Sequence, residues 1–379
     1  MSGSLVQLVA QGVQDAYITG DPEVSFFQQV YKRHTNFTTK PVKLDVIGTI
    51  AANSEITVKI PRAGDLLSSI WIDLGTTGTL GGTAANGLPG LIGAEAENGG
   101  AIFEWYIGGQ LVDRQDAFFM VQLWNKFLID NGAKAGPVFT QNVPSGTARQ
   151  DLTRASGNTW MPLHFSFCDG YPLPLVALQY HEVELKIRLG DGTAPDKMQF
   201  YGNFVLLDTD ERKMMTDKNH EFLIHQMQKI QNLGTDESPR WDLSLLNHPV
   251  KALLWGRPDM GGGGPYVTND VQIYLNGVEV FQSKMPDKYF SLVQSYYNSE
   301  HYTPLQSGGD LKSGVALKMY SFAQKANRLQ PTGTCNFSRL DTAHMTASTE
   351  YFATMQDLYA VNYNILRIQS GLGGVLFAN

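Results

Sequence analysis

The chain has 379 residues, of which 38 are glycine, and only 17% are charged, against about 25% in an average soluble domain. A net charge of -7 argues against a general nucleic-acid coat, which relies on excess Lys and Arg. The 11% aromatic content excludes disorder, and the length exceeds what one hydrophobic core comfortably serves, so two domains are expected.

The start, MSGSLVQLVAQGVQDAY, lacks the basic opening and long apolar run of a signal peptide. Ser2 after Met1 rules out the myristoylation pattern. Leu5 to Val13 could form one or two amphipathic helical turns. Period-2 alternation then dominates: Val42, Leu44 and Val46 flank Lys43 and Asp45, and Ile56, Val58 and Ile60 flank Thr57 and Lys59. Ile70, Ile72 and Leu74 repeat the pattern, as do Val183, Leu185, Ile187 and Leu189 and, near the end, Val361, Tyr363 and Ile365. Each run reads as a strand with one face in a core. Gly/Pro/Asn/Ser clusters at 75–90, 132–146 and 261–265 read as loops. The better helical signals are Asp116 to Leu128 and the polar Thr209 to Lys218. Many short strands with glycine-rich loops predict sandwiches or barrels.

An internal repeat sharpens this. WYIGGQLVD (Trp105 to Asp113) has a partner in IYLNGVEVF (Ile273 to Phe281), at an offset of 168 (277 minus 109). Both read as tight hairpins, because Gly108-Gly109 and Asn276-Gly277 suit primed turns. Each is followed by an aromatic stretch, DAFFMVQLWNKF in the first half and DKYFSLVQSYYN in the second. The charged segment Asp208 to Glu221 marks the boundary between the halves. Each half is long enough for an eight-stranded jelly roll.

Catalytic chemistry has no clear signature along the chain. The histidines are scattered, and His220 and His225, five apart on one expected strand, point to opposite faces. No HExxH or Cys-x-x-Cys spacing marks a metal site, and no His-x-His pair marks a cupin. His181-Glu182 reads as a sheet-face pair. There is no G-x-S-x-G elbow and no Walker sequence; the glycine run 261–264 reads as a loop tip, and GLGG at 371–374 opens no helix. Asp208, Asp210 and Glu211, beside Arg212 and Lys213, read as a solvated linker. Cys168 and Cys335 form no disulfide framework; they suggest a reducing compartment and small buried side chains. The six tryptophans could in principle stack on sugars, but most sit in apolar runs and read as core. No catalytic, cofactor-binding or metal-ligating residue is assigned, and no cofactor is expected.

The segment Leu5 to Phe37 closely resembles the start of major capsid proteins of nucleocytoplasmic large DNA viruses. It carries Gln7, Leu8, Val9, Gly12, Gln14, Asp15, Tyr17, Thr19, Gly20, Pro22, Phe26, Phe27, Tyr31 and the run Arg33 to Phe37 at the family's spacing. The resemblance continues through Ile60 to Leu74, Leu173 to Ile187, Leu206 to Lys213, Leu329 to Asp341 and Tyr359 to Gly374. It implies an all-β double jelly roll: two consecutive eight-stranded antiparallel sandwiches with short helices in loops and at the N-terminus. The expected division is an arm at 1–24, a first jelly roll at 25–210, a linker at 211–219 and a second jelly roll at 220–379. The resemblance implies a major capsid protein, not an enzyme, forming trimeric, pseudo-hexagonal capsomers that tile an icosahedral shell. Implied partners are its own copies as a homotrimer, neighbouring capsomers, and minor capsid proteins at the inner face. Contact with an inner membrane would be indirect, and no direct nucleic-acid binding is expected. The implied location is the virion, after assembly in the host cytoplasm. The alternatives are a minor capsid component, a capsid-like paralogue, or a carbohydrate-binding sandwich.

Overall fold

The computed structural model describes residues 9–29, 31–75, 100–129, 159–190, 198–230, 240–256, 270–299, 317–348 and 357–377. Residue contacts divide the chain into two compact units, Met1–Asn36 and Phe37–Asn379. In the first, one helical turn spans Ala16–Thr19. The one or two amphipathic turns suggested for Leu5 to Val13 are not helical over the described part, residues 9–13, which are turn or irregular. Gly12 weakens helix propagation, its N–H is held by the Asp15 carboxylate at 2.9 Å, and a lone amphipathic turn is marginal in water.

The second unit is built from four antiparallel sheets among the described residues. Sheet 1 orders β1 (Phe37–Leu44), β10 (Gln199–Leu207), β4 (Leu66–Gly75) and β7 (Thr159–Pro162), with β8 (Leu173–Pro174) beside β4. Sheet 2 orders β2 (Val46–Ile47), β3 (Glu55–Lys59), β9 (Val183–Arg188), β5 (Ile102–Ile107) and β6 (Gln110–Asp116). Their inner faces share one core, with Leu44, Ile56, Val58, Ile70, Ile72 and Phe103 all buried. The predicted alternation is observed: β9 buries Val183, Leu185 and Ile187 while its polar neighbours are half-exposed or exposed.

The second half repeats the plan. Sheet 3 orders β11 (His220–Ile230), β19 (Asp357–Gln369), β13 (Pro249–Gly256) and β16 (Lys318–Ser321). Two short strands join it, β17 (Cys335–Asn336) beside β13 and β20 (Leu372–Val375) beside β19. Sheet 4 orders β12 (Arg240–Asp242), β18 (Ala343–Thr346), β14 (Gln272–Leu275) and β15 (Val278–Glu279). Strand for strand, β1-β10-β4-β7 corresponds to β11-β19-β13-β16, and β3-β9-β5-β6 to β12-β18-β14-β15. The fold is a double jelly roll.

The two hairpins that revealed the repeat are β5–β6 and β14–β15. Their turns have positive φ at both central residues, 57° and 81° at Gly108 and Gly109, 50° and 77° at Asn276 and Gly277. That geometry matches the right-handed twist of the flanking strands and admits few residues besides Gly and Asn. The aromatic stretch after each hairpin is helical as expected, with a wide-turn helix at Phe119–Leu128 and its counterpart at Tyr289–Val293 continuing into Gln294–Asn298. The i→i+5 bond from the Ile129 N–H to the Trp124 carbonyl closes the first one. Its π character carries no sequence signal.

Thr209–Asp217 is a helix between β10 and β11. Asp208 caps it, and Arg212 grips Asp65 of the first sandwich with Nε at 2.9 Å and Nη2 at 3.0 Å. The glycine-rich stretches at 76–99, 130–158, 257–269 and 300–316, which include the run 261–264, lie outside the described residues. Phe103, on β5 of sheet 2, is fully buried. Phe103→Ala should cost about 3–5 kcal/mol of unfolding free energy, measured as a lower denaturant midpoint at unchanged slope.

Candidate functional site

With no catalytic residue assigned, the functional features are the surfaces at which sandwiches meet, and the chain contains one such surface internally. Sheet 3 is buried on both faces. On β19, Leu358 and Ala360 face the core of the second sandwich, while Tyr359 and Val361 face the first. On β13, Leu253 and Trp255 face one way and Ala252 and Leu254 the other. The first sandwich covers this outer face with β6 and the helix Phe119–Leu128. Phe118 and Phe119 lie 5.9 and 5.8 Å from the Tyr359 ring.

Three polar clusters cross this seam. At its middle, Lys229 of β11 bridges Asp116 of β6 at 2.9 Å and Asp357 of β19 at 3.1 Å, and the Tyr359 hydroxyl donates to Asp116 at 2.8 Å. Burial alone would lower the Lys229 pKa; the two carboxylates outweigh it and raise it. Nearby, Asp113 accepts from the Met227 N–H at 2.9 Å, yet its burial raises the carboxyl to about 7 despite three hydrogen bonds.

The second cluster is aromatic. The Trp124 indole stacks on His164 at 4.9 Å and lies tilted against His225 at 5.1 Å, and His164 in turn pairs with Asp169 at 3.0 Å. Burial, with Lys251 adding to it, holds His225 neutral by pushing its pKa well below 6.5. Lys251 itself is buried over the Tyr363 ring at 5.6 Å, and burial pulls its pKa to about 8. A third cluster sits at the far end of the helix. Asp287 and Lys318 form a buried ion pair, Lys126 donates to the Leu317 carbonyl at 3.4 Å, and burial together with Lys318 lowers the Lys126 pKa to about 7.

The C-terminal hairpin clasps the seam from outside. The Tyr180 N–H donates to the Gly371 carbonyl at 3.1 Å, and His181 Nδ1 lies 2.9 Å from the Gly373 carbonyl. Gly373 lets the strand approach closely: a Cβ there would meet Leu178 Cδ2 at 2.5 Å, so a larger residue would have to displace that side chain. His181 therefore corrects the sheet-face reading: it precedes β9 and bonds the second sandwich, whereas Glu182 pairs with Lys59 at 3.3 Å. GLGG at 371–374 begins at a hairpin turn and runs into β20. His220 and His225 diverge as expected, the first bonding the Met215 carbonyl at 2.7 Å and the second facing Trp124. Cys168 and Cys335 are half-buried free thiols whose pKa burial raises.

Residues 25–195 match the family described as major capsid protein N-terminus, and residues 262–374 match the large eukaryotic DNA virus major capsid protein. The major capsid protein of Pyramimonas orientalis virus is 35% identical over the whole of both chains. The chain belongs to the major capsid protein family of large eukaryotic DNA viruses. The major capsid protein of Paramecium bursaria Chlorella virus 1 is 30% identical, again over all of both chains. The structure of PBCV-1 VP54, solved and fitted into a virophage reconstruction, superposes with a TM-score of 0.71 at 26% identity, covering 94% of this chain and 100% of that one. The Faustovirus major capsid protein shares the fold, with a TM-score of 0.64 at 12% identity and 95% of each chain covered. The family is structural, not enzymatic. A capsid protein acts through its surfaces, and the seam is where this chain shows how one sandwich binds another.

The sequence reading missed Lys229, Asp116, Tyr359 and Lys251 as seam residues. The usable signal was the apolar run Leu358 to Val361, which breaks alternation and marks a strand buried on both faces. Lys251 has no carboxylate within ion-pair distance among the described residues, so its charge is a net burden. Lys251→Met should raise stability at pH 7 by about 1–3 kcal/mol. The lysine's folded pKa is depressed, so the penalty is full below pH 8 and disappears as pH rises past the unfolded value near 10.5. Denaturation at pH 7 and pH 10.5 should show the gain at the first pH and little at the second.

Proposed function

We propose that this major capsid protein builds the shell as homotrimers of pseudo-hexagonal outline, each presenting six jelly rolls. The observation that carries the reading is the strand-for-strand repeat of two sandwiches in one chain. Three copies of a doubled unit approximate six-fold symmetry, and such a unit can tile flat facets through lateral contacts with neighbouring capsomers. The working division is the one the sequence suggests: arm 1–24, first jelly roll 25–210, linker 211–219 and second jelly roll 220–379. Assembly in the host cytoplasm fits the two free thiols, which a reducing compartment preserves.

The arm is the segment through which the capsomer meets minor capsid proteins at the inner face of the shell. Val9, Val13, Tyr17, Ile18 and Val24 are all exposed in the single chain. An apolar set of that size marks an interaction segment. Any inner membrane is reached indirectly, through those partners, and nucleic acid is not contacted directly. Function resides in these surfaces, with no catalytic group, metal or cofactor involved.

Light scattering on purified protein should give three times 41.9 kDa, and electron microscopy of concentrated material should show hexagonal arrays. Deleting residues 2–20 should leave the trimer intact and abolish ordered shells. Loss of the trimer on deletion would refute the role assigned to the arm.

A further inference from the structure

The repeat makes one sheet a control for the other. On sheet 3, the outer face of β11 carries His225, Met227 and Lys229, register partners of Tyr363, Val361 and Tyr359. All of it lies under β6 and the helix Phe119–Leu128. Sheet 1 has the same strand order, and its corresponding outer face has no such cover among the described residues. There Lys43 is the register partner of Tyr201, and Tyr201 of Trp71. Trp71 stacks on Tyr201 at 4.4 Å and 14°, with Trp160 edge-on at 6.5 Å. All three rings are half-exposed, and β1 is exposed from Phe37 to Pro41.

The covering element shows the complementary contrast. In the first sandwich Val112, Asp113 and Gln115 to Met120 are buried in the seam. In the second, the residues after β15, Gln282 to Lys284, are exposed. The helix that follows carries Val293, Tyr296 and Tyr297 at 37%, 66% and 68% exposure. Among the described residues, the outer face of sheet 1 thus lacks a cover, while the matching segment of the second sandwich leaves Val293, Tyr296 and Tyr297 exposed.

We propose that the outer face of sheet 1 is the trimer interface, and that its occupant is the segment from β15 through Gln294–Asn298 of a second copy of this chain. This rests on the capsomer reading above and names its contact surfaces. The intrachain seam supplies the template: the relation of β11 to β6 within one chain is repeated as the relation of β1 to β15 between chains. The contact is heterologous, cover against sheet, so it propagates head to tail and must close into a ring. Tyr296 and Tyr297 pack against the Trp71–Tyr201–Trp160 cluster, an aromatic composition typical of interface centres.

The test uses the full chain with Tyr297 replaced by photoreactive benzoylphenylalanine, mixed as light and isotopically heavy copies. Irradiated trimers should yield interchain cross-links landing on β4, β7 or β10. In parallel, the double variant Tyr296→Ser/Tyr297→Ser should raise the concentration at which trimers dissociate by roughly tenfold or more, with an unchanged circular dichroism spectrum. Acrylamide should quench Trp71 and Trp160 fluorescence less in the trimer than in the dissociated chain. Cross-links from Tyr297 to residues 289–298 of a second copy would show an isologous contact and overturn the assignment. Equal quenching in both states would also overturn it, leaving the aromatic face open to another ligand such as a glycan. A chain that stays monomeric at every concentration overturns the capsomer reading itself.

Discussion

Sheet 3 has apolar residues on both of its faces, and the rest of the structure depends on covering them. β19 is buried at every residue from Asp357 to Asn364, and β13 at every residue from Val250 to Gly256. A lone sandwich buries one face of each sheet and leaves the other to water. The second sandwich cannot meet that condition alone, because Tyr359, Val361 and Leu254 would face solvent. The first sandwich is therefore part of its fold. The bidentate Arg212–Asp65 contact at the linker helix and the clasp of Gly371 and Gly373 on Tyr180 and His181 close the seam from two further points.

The seam is also where the chain buries charge. Apolar contact is non-directional and would tolerate a sliding register between two sheet faces. The Asp116–Lys229–Asp357 triad is directional, and it fails if β11 shifts by one residue, since that turns Lys229 to the other face. Burial raises Asp113 and depresses His225 and Lys251, so these groups enter the fold largely against their preferred charge. The sign for His225 is definite. Its folded pKa lies below the unfolded value of 6.5, so the stability its neutral form contributes is lost as pH falls below that value.

Much of the architecture was legible in the sequence, and the reasons are local. Period-2 alternation marked β3, β4 and β9 because each has one wet or half-wet face. Gly108-Gly109 and Asn276-Gly277 marked the hairpins because their backbone geometry admits few other residues. The seam was not legible, because it depends on which sheet face meets which. Trp124 looked like any core tryptophan, and nothing in its neighbours announces that it packs against His164 and His225, 40 and 101 positions away by their numbering. The His181 contact was invisible for the same reason: its partner Gly373 is 192 residues distant. In the arm the helical turn forms at Ala16–Thr19 and not over residues 9–13, because apolar spacing alone does not hold so short a helix without a surface to pack against.

The low charge that marked the composition takes on a specific meaning when the two equivalent sheets are compared. The covered outer face, on sheet 3, holds a lysine, a histidine and an ion-paired triad. The one without a cover among the described residues, on sheet 1, is centred on Trp71, Tyr201 and Trp160. A seam made once, during folding, can retain buried charges, because the fold as a whole offsets their desolvation. A surface that joins separately folded chains must desolvate its groups at each encounter and also lose rotational and translational freedom. Aromatic rings suit such an encounter, because they contribute large contact area with few rotatable bonds and little desolvation penalty. If the outer face of sheet 1 is the trimer contact proposed above, the two halves of the duplication differ in chemistry because one contact belongs to folding and the other to assembly.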